Sequence, residues 1–414
     1  MIQYNTFTIY RTLLLKLYLS FLFICSMLPS GTIYNFNIKI YIFILLIIFS
    51  IPMLFKLKMK KNDVSVIFFV TFIICFYTLL GNINGYEFTS VLLEFKFLFG
   101  IYLMLLITYF MYLFVDDKLF FLRNVIIYTI YGSMIYLFIK SYFFLMIYFK
   151  LYDYSLMKDV IFPIINYKPV GLNIIIGAPR FSFVTMDFLS VALFILYIYF
   201  RNKIIYIKFP LFIEFFYSII LFISIFSAYS RFIFIIFPIL LIIVFLLNKN
   251  YKTIILAFII GILFSIVFHK DISLIIFQRF VNQEHSDSWR IIMTHALLNS
   301  WSQSPFLGRG IGAYSLELIR DRSMPFSYEV QFVSILMQFG ISFILLNIFI
   351  LYFFLKNITN RTILLTFSIY ISLILGSFTN QYLLSTTTGV IYVIIFIILL
   401  VFNNVNYISK KVRN

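Results

Sequence analysis

The chain is poor in charge, and poorest in acid. Asp, Glu, Lys and Arg make up 11% of its 414 residues, with 15 acids against 32 bases. Soluble domains carry roughly a quarter charged residues, so a water-facing globule of this size is excluded. With carboxylates this sparse and only 3 histidines, widely separated, no metal-ligand cluster is offered, and none is expected in the chemistry. No cofactor is expected either. Cysteine is nearly absent, and the 2 present, Cys25 and Cys75, lie in apolar runs and read as small buried hydrophobes. They leave the redox compartment open. Internal repeats, low-complexity linkers and matched broken helices of the transporter kind are also missing.

What the chain has in quantity is hydrocarbon: 63% of its residues are hydrophobic and the mean hydropathy is +1.05. This composition predicts an all-α, polytopic membrane protein. The 56 Phe and 31 Tyr, together with abundant Ile, Asn and Lys, reflect the codons of an AT-rich genome and carry no functional weight. The net charge of +17 would point to nucleic acid in a soluble domain. Here it follows from basic loops under the positive-inside rule, so no nucleic-acid partner is expected.

A helix needs about 20 mainly apolar residues to cross a bilayer, because lipid offers the backbone no hydrogen-bond partners. About twelve runs meet this pattern. They are Arg11–Pro29, Ile38–Phe55, Val64–Leu80, Phe97–Val115, Asn124–Phe149, Ser182–Phe200, Pro210–Phe226, Phe232–Leu247, Thr253–Phe268, Val330–Leu355, Thr362–Gly376 and Leu383–Phe402. Arg11 and Lys16 with no small-residue cleavage site mark the first as a retained helix. Basic residues crowd alternate short connections, as in the Lys56, Lys58, Lys60 and Lys61 cluster, and both termini, which predicts cytoplasmic ends. Residues 150–181 and 269–329 then form extracytoplasmic loops in a single membrane domain over 1–414. A connection of roughly sixty residues in so greasy a chain is a functional candidate.

The longer loop holds the distinctive chemistry. His269, His285 and His295 lie in or beside it, as do Trp289 and Trp301. "SDSWRIIMTHALLNSWSQSP" predicts a helix with Ser286, Asp287 and Ser288 as N-cap candidates, ending before Pro305. Trp289, Ile292, Met293 and Ala296 share one face, while Arg290 and Thr294 line another, with Trp301 further on. A surface-anchoring helix and a catalytic one fit this pattern equally. "SPFLGRGIGAYS" follows, with Gly308, Gly310 and Gly312 around Arg309. It lacks the lysine and hydroxyl residue of a Walker loop and the spacing of a dinucleotide fingerprint, so it reads as a turn needing positive backbone angles.

Charges inside apolar runs are expensive and call for function or pairing. Lys140 and Glu214 read as snorkelling or as structural ion pairs, and Asp187 lies within a helix about two turns after Arg180. Arg180 in "GAPRFSF" and Arg231 in "SAYSRF" stand at the outer ends of helices and read as functional. With Arg290 and Arg309 they make a set of outward guanidinium groups, which grip phosphate oxygens bidentately. A lipid-linked pyrophosphate is a natural ligand. Glu329, in "FSYEVQFVSILMQFG", is the carboxylate at the mouth of the next helix. It reads either as a base or as a residue favouring the positive helix end.

These segments resemble the O-antigen polymerase and O-antigen ligase superfamily of bacterial envelope glycosyltransferases. The likeness lies in "APRFSFVTMDFLSVAL", "FSAYSRFIFIIFPILL", "SWRIIMTHALLNSWSQSPFLGRGIGAYS" and "YEVQFVSILMQFGI", and in the dozen spans with a large late loop. It implies a GT-C-like membrane fold in the bacterial inner membrane, binding undecaprenyl diphosphate-linked oligosaccharide among membrane lipids, with a chain-length regulator as a partner. It further implies that Arg180, Arg231 and Arg290 hold the diphosphate and that Gly308, Gly310 and Gly312 shape the cavity. Arg309 either joins them or faces water. Arg290 and Glu329 are the catalytic candidates, Glu329 accepting the acceptor's hydroxyl proton. Ligases carry a histidine where this chain has Glu329, at the same distance from Gly340, which favours a polymerase of O-antigen or capsule repeats over a ligase. A flippase for lipid-linked oligosaccharide is the alternative from another class, distinguished by charges lining a central route across the bilayer.

Overall fold

The computed structural model describes residues 2–29, 31–33, 36–54, 59–152, 180–201, 203, 205–249 and 284–403. Apart from a two-stranded antiparallel ribbon, β1 (Thr32–Ile33) and β2 (Phe36–Asn37), the regular elements are helices. In chain order they are α1 (Ile2–Met27), α2 (Ile38–Leu54), α3 (Lys61–Ile83), α4 (Phe88–Phe114), α5 (Lys118–Tyr148), α6 (Val184–Phe200) and α7 (Leu211–Ala228). They continue with α8 (Arg231–Leu247), α9 (Glu284–Ser302), α10 (Gln331–Phe339), α11 (Ile341–Lys356), α12 (Arg361–Gly376) and α13 (Thr386–Asn403).

Among the described residues 5 helices are long and apolar enough to cross a membrane: α1 from Ile9, α3, α4, α5 and α7. The count becomes 6 if the bent pair α10–α11 is one span. The remaining apolar runs coincide with the shorter helices α2, α6, α8, α12 and α13, while Thr253–Phe268 lies outside the described residues. Two runs differ from expectation. Val330–Leu355 is not one straight helix: α10 and α11 meet at 113°, where Gly340 takes φ 57, a backbone angle that side chains resist. α4 begins at Phe88 rather than Phe97 and so takes in Glu94, whose carboxylate is satisfied inside the fold.

The chain packs into two compact units. The first is drawn from Met1–Lys56 and Phe110–Asn282, the second from Leu57–Tyr109 and Gln283–Asn414. The sequence shows no linker at these boundaries.

In the first unit α5 lies along α1, with α6 and α7 against its other sides. Gly132 allows the close approach to α1, since a Cβ there would run into the Phe23 carbonyl. Small residues and interhelical hydroxyl bonds, such as Ser133 Oγ to Ser190 Oγ at 2.8 Å, are how helices associate in lipid. Asp117 caps α5 by accepting from the Leu119 and Phe120 amides. At the unit's centre Lys140 meets Asp187 at 2.6 Å, with both side chains buried. Tyr136 donates to the same carboxylate, and the Lys140 ammonium also reaches the Ser224 carbonyl. Lys140 is therefore a structural pair and not a snorkel. Glu214 likewise pairs with Arg201 at 2.7 Å and accepts from Tyr197.

The second unit holds α3, most of α4, and α9 to α13. α9 packs on α10, α10 on α11, and α12 on both α11 and α13. Its buried core beneath α9 joins Tyr86 and Val91 to Met293, Leu297, Ala313, Tyr314, Tyr328, Val330, Val333 and Met337.

Candidate functional site

The glycine turn takes the positive backbone angles its sequence predicts: φ is 73 at Gly308, 91 at Gly310 and 79 at Gly312. Conformation is only half the reason for glycine. A Cβ on Gly308 would meet the Gln338 carbonyl, one on Gly310 the backbone of Gly81, and one on Gly312 the backbone of Val91. The turn is wedged into the second unit at backbone contact with α3, α4 and the end of α10. Hydrogen bonds lock it there. The Arg309 amide donates to the Met337 carbonyl at 3.0 Å, Gly310 to Gln338 at 2.9 Å, and Ile311 to Tyr77 at 2.9 Å.

Those bonds explain the bend at Gly340. A helix that stops inside a fold leaves its last carbonyls without partners, and here the loop amides supply them. The first amide of α11, Ile341, donates in turn to the Pro305 and Phe306 carbonyls, and Tyr77 Oη donates to Phe339 O and to Ser342 Oγ. "SPFLGRGIGAYS" is thus a plug that caps both sides of a broken helix.

Glu94 completes the lock. This buried carboxylate, 3% exposed, accepts from the Gly312 amide at 2.7 Å and from Gln338 Nε2 at 2.8 Å. Gln338 Nε2 also reaches the Ala313 carbonyl. Sequence reading misses Glu94 because it falls just ahead of the run Phe97–Val115; the available signal is a carboxylate flanked by Leu93 and Phe95.

The loop helix α9 begins at Glu284, so Ser286, Asp287 and Ser288 lie inside it and are not its caps. Its packed stripe is Met293, Ala296 and Leu297, while Trp289 and Ile292, expected on the same face, are exposed. The tyrosines beneath α9 set this rotation. Burial, with Glu87 and Tyr86 nearby, holds the Tyr314 phenol neutral above its ordinary range. Burial pushes Tyr328 up to about 12; its hydroxyl accepts from the Ser315 amide and donates to the Leu318 carbonyl.

Arg290 projects from α9 into an ion cluster. Its Nε lies 3.1 Å from Glu329 Oε2 and its Nη1 2.9 Å from Asp287 Oδ1. The other Glu329 oxygen, Oε1, is 2.7 Å from Arg320 Nη2. Glu329 therefore bridges two guanidinium groups, all three side chains being partly exposed. It stands before α10 and outside its first turn, so pairing and not the helix end governs it. Arg320 escapes sequence reading: in "ELIRDR" it looks like one solvated charge among several.

Arg309 acts as a clamp. Its Nε donates to the Ser300 carbonyl at 2.9 Å, Nη1 to Tyr86 Oη at 3.0 Å and Nη2 to Gln303. Asn84 on the α3–α4 connection returns a bond to the Arg309 carbonyl. Of the guanidinium's five N–H groups, these bonds use three.

Arg180 and Arg231 belong to the first unit, Arg290, Arg309 and Glu329 to the second. Arg180 Nε donates to the Ala228 carbonyl at 3.0 Å, and the Phe181 amide to Ser227, so the segment before α6 docks on the last turn of α7. Tyr229 then turns the chain in the left-handed region, at φ 45, and two residues later Arg231 opens α8. Arg180 and the start of α8 thus share one corner of that unit.

Residues 216–348 match a family model described as O-antigen ligase. The match takes in Arg231, Arg290, the Gly308–Gly312 turn and Glu329, and it agrees with the resemblance drawn from the residues. It supports a multi-pass membrane protein with an O-antigen ligase or polymerase type of function, and lends nothing to the flippase reading. No curated protein and no solved structure matches the chain.

Proposed function

We propose that this protein is a polysaccharide polymerase. It transfers an O-antigen or capsule repeat from undecaprenyl diphosphate to the hydroxyl of an acceptor sugar, at the outer face of the inner membrane. The supporting observation is the cluster of Arg290, Glu329 and Arg320 beside the locked glycine turn, all inside the segment that matches the family.

In this reading the acceptor oxygen attacks the anomeric carbon, forming the new glycosidic bond and inverting the centre. The bond from that carbon to the phosphate oxygen breaks, and its electron pair leaves on the diphosphate. Fixed guanidinium groups stabilise the charge that develops there, and being preorganised they need no reorientation as the bond breaks. Glu329 takes the hydroxyl proton. The glycine turn fixes where Arg290 and Glu329 stand, with Arg309 holding it to the α3–α4 connection. Arg180 and Arg231 keep the diphosphate role that the resemblance implies, as does a chain-length regulator its place as a partner. A carboxylate where ligases place a histidine favours polymerisation over ligation to a lipid A core.

The test is glycan length in cells carrying Arg290→Ala. The expected result is normal membrane insertion with single repeats in place of long chains; wild-type chain lengths would remove Arg290 from the mechanism. Purified wild-type protein given lipid-linked repeats should elongate them. Transfer to lipid A core without elongation would establish the ligase instead.

A further inference from the structure

Resting on the reading above, we propose that Arg290 and Arg320 form one two-guanidinium cradle for a diphosphate, in which Glu329 is the resident anion that the ligand displaces. The geometry is that of a bridged anion. Each Glu329 oxygen faces a different guanidinium, Oε2 toward Arg290 at 3.1 Å and Oε1 toward Arg320 at 2.7 Å. Two phosphoryl oxygens of one ligand present acceptors of the same kind, with more charge behind them. The site is reachable, since the Arg290, Glu329 and Arg320 side chains are 21%, 27% and 44% exposed. It is also held in register: Arg290 stands on the packed helix α9, and Glu329 lies between Tyr328 and Val330, both in the buried core.

The exchange has a chemical consequence. While it bridges the two guanidinium groups, each Glu329 oxygen is engaged by a positive donor, and the carboxylate is held to Arg290 and Arg320 rather than to an acceptor hydroxyl. A diphosphate seated on Arg290 and Arg320 releases the carboxylate and brings the anomeric carbon with it. Donor binding thereby arms the base, and water meets no activated carboxylate in the empty site. Asp287, 2.9 Å from Arg290 Nη1, keeps that side chain oriented throughout.

The experiment is titration of the purified full chain, in lipid nanodiscs, with inorganic pyrophosphate and separately with a polyprenyl diphosphate. Loss of one charged contact should weaken pyrophosphate binding about tenfold in Arg320→Ala, and similarly in Arg290→Ala. Glu329→Gln should tighten binding several-fold, since it removes the competing anion, while turnover collapses. A merely structural Glu329 would not separate affinity from turnover in this way. Thermal unfolding of each variant is followed in parallel. Should Arg320→Ala unfold early, Arg320→Lys decides, because it keeps the charge and loses the fork, and an intermediate affinity is expected. Unchanged affinity in the Arg320 variants, or weaker binding in Glu329→Gln, overturns the cradle. Polyprenyl diphosphate binding no tighter than pyrophosphate overturns its role as the donor site. A wild-type protein that elongates glycan without binding pyrophosphate refutes the cradle and leaves the polymerase reading intact. Binding as described with neither elongation nor ligation refutes the polymerase reading alone.

Discussion

At the scale of single residues, the second unit's site depends on atoms with no spare room. Gly310→Ala is expected to abolish glycan elongation and to lower the thermal unfolding temperature in detergent by several degrees. A Cβ there falls on the Gly81 backbone, and the positive φ adds a further ~1 kcal/mol of strain. Glu94 separates two roles. Glu94→Gln keeps an acceptor oxygen for Gly312 and Gln338, so activity should largely survive, whereas Glu94→Ala leaves the Gly312 amide buried and unmet, at about 1–3 kcal/mol, and leaves Gln338 Nε2 with the Ala313 carbonyl alone. Equal activity in the two variants, measured as chain length in cells, would show the carboxylate to be dispensable. Tyr328 gives a signature in pH. Its folded value lies above the ordinary one, so the neutral phenol stabilises the loop below about pH 10, and this contribution is lost as pH rises toward 12. Intrinsic fluorescence of the loop tryptophans should report the loosening in that window, and Tyr328→Phe should remove the pH step.

The element scale shows what was legible in the amino-acid sequence. Apolar runs are long, lipid-facing and repetitive, so their positions follow from composition, and helices occupy each described one. The loop helix and the glycine turn are also written locally, in the helix-compatible residues that run up to Pro305 and in glycines spaced by one. Besides Glu94, three things were not legible. The break between α10 and α11 depends on amides donated from Arg309 and Gly310, far away in the chain, and one glycine in an apolar run does not announce it. The rotation of α9 depends on which stripe the tyrosines beneath it select. The value of Arg320 depends on the one carboxylate it meets. Each is a long-range pairing, and no local periodicity encodes it. At this scale Tyr77→Phe should loosen the bend without affecting insertion. It removes the donor to Phe339 O and Ser342 Oγ, and protease or hydrogen-exchange protection at residues 338–343 should fall.

On the scale of the molecule, two compact units carry different polar cores. The first is centred on the buried pair Lys140 and Asp187, the second on Glu94 and its amide partners. Removing one member of a buried pair costs about 3–5 kcal/mol, since the partner is left charged in a dry interior. Asp187→Asn or Lys140→Met alone should therefore lower the yield of folded protein in detergent sharply. The double variant Lys140→Met with Asp187→Leu should recover most of it. A double variant no better than either single would mean that Tyr136 and Ser224 depend on the charges themselves.

The lock around the glycine turn also sets a timetable for synthesis. Glu94 finds its donors 218 and 244 residues later in the chain, and Tyr77 finds its acceptors 262 and 265 residues later. At ribosomal speeds of about 5–20 residues per second, α3 and α4 wait roughly ten seconds or more with a carboxylate and a phenol unmet. During that interval they resemble an incomplete membrane domain, the form that quality-control proteases remove. A nascent chain stopped before Gly340 should be degraded quickly and one released after Ser342 should persist, which makes the bend between α10 and α11 the point of commitment for the whole protein.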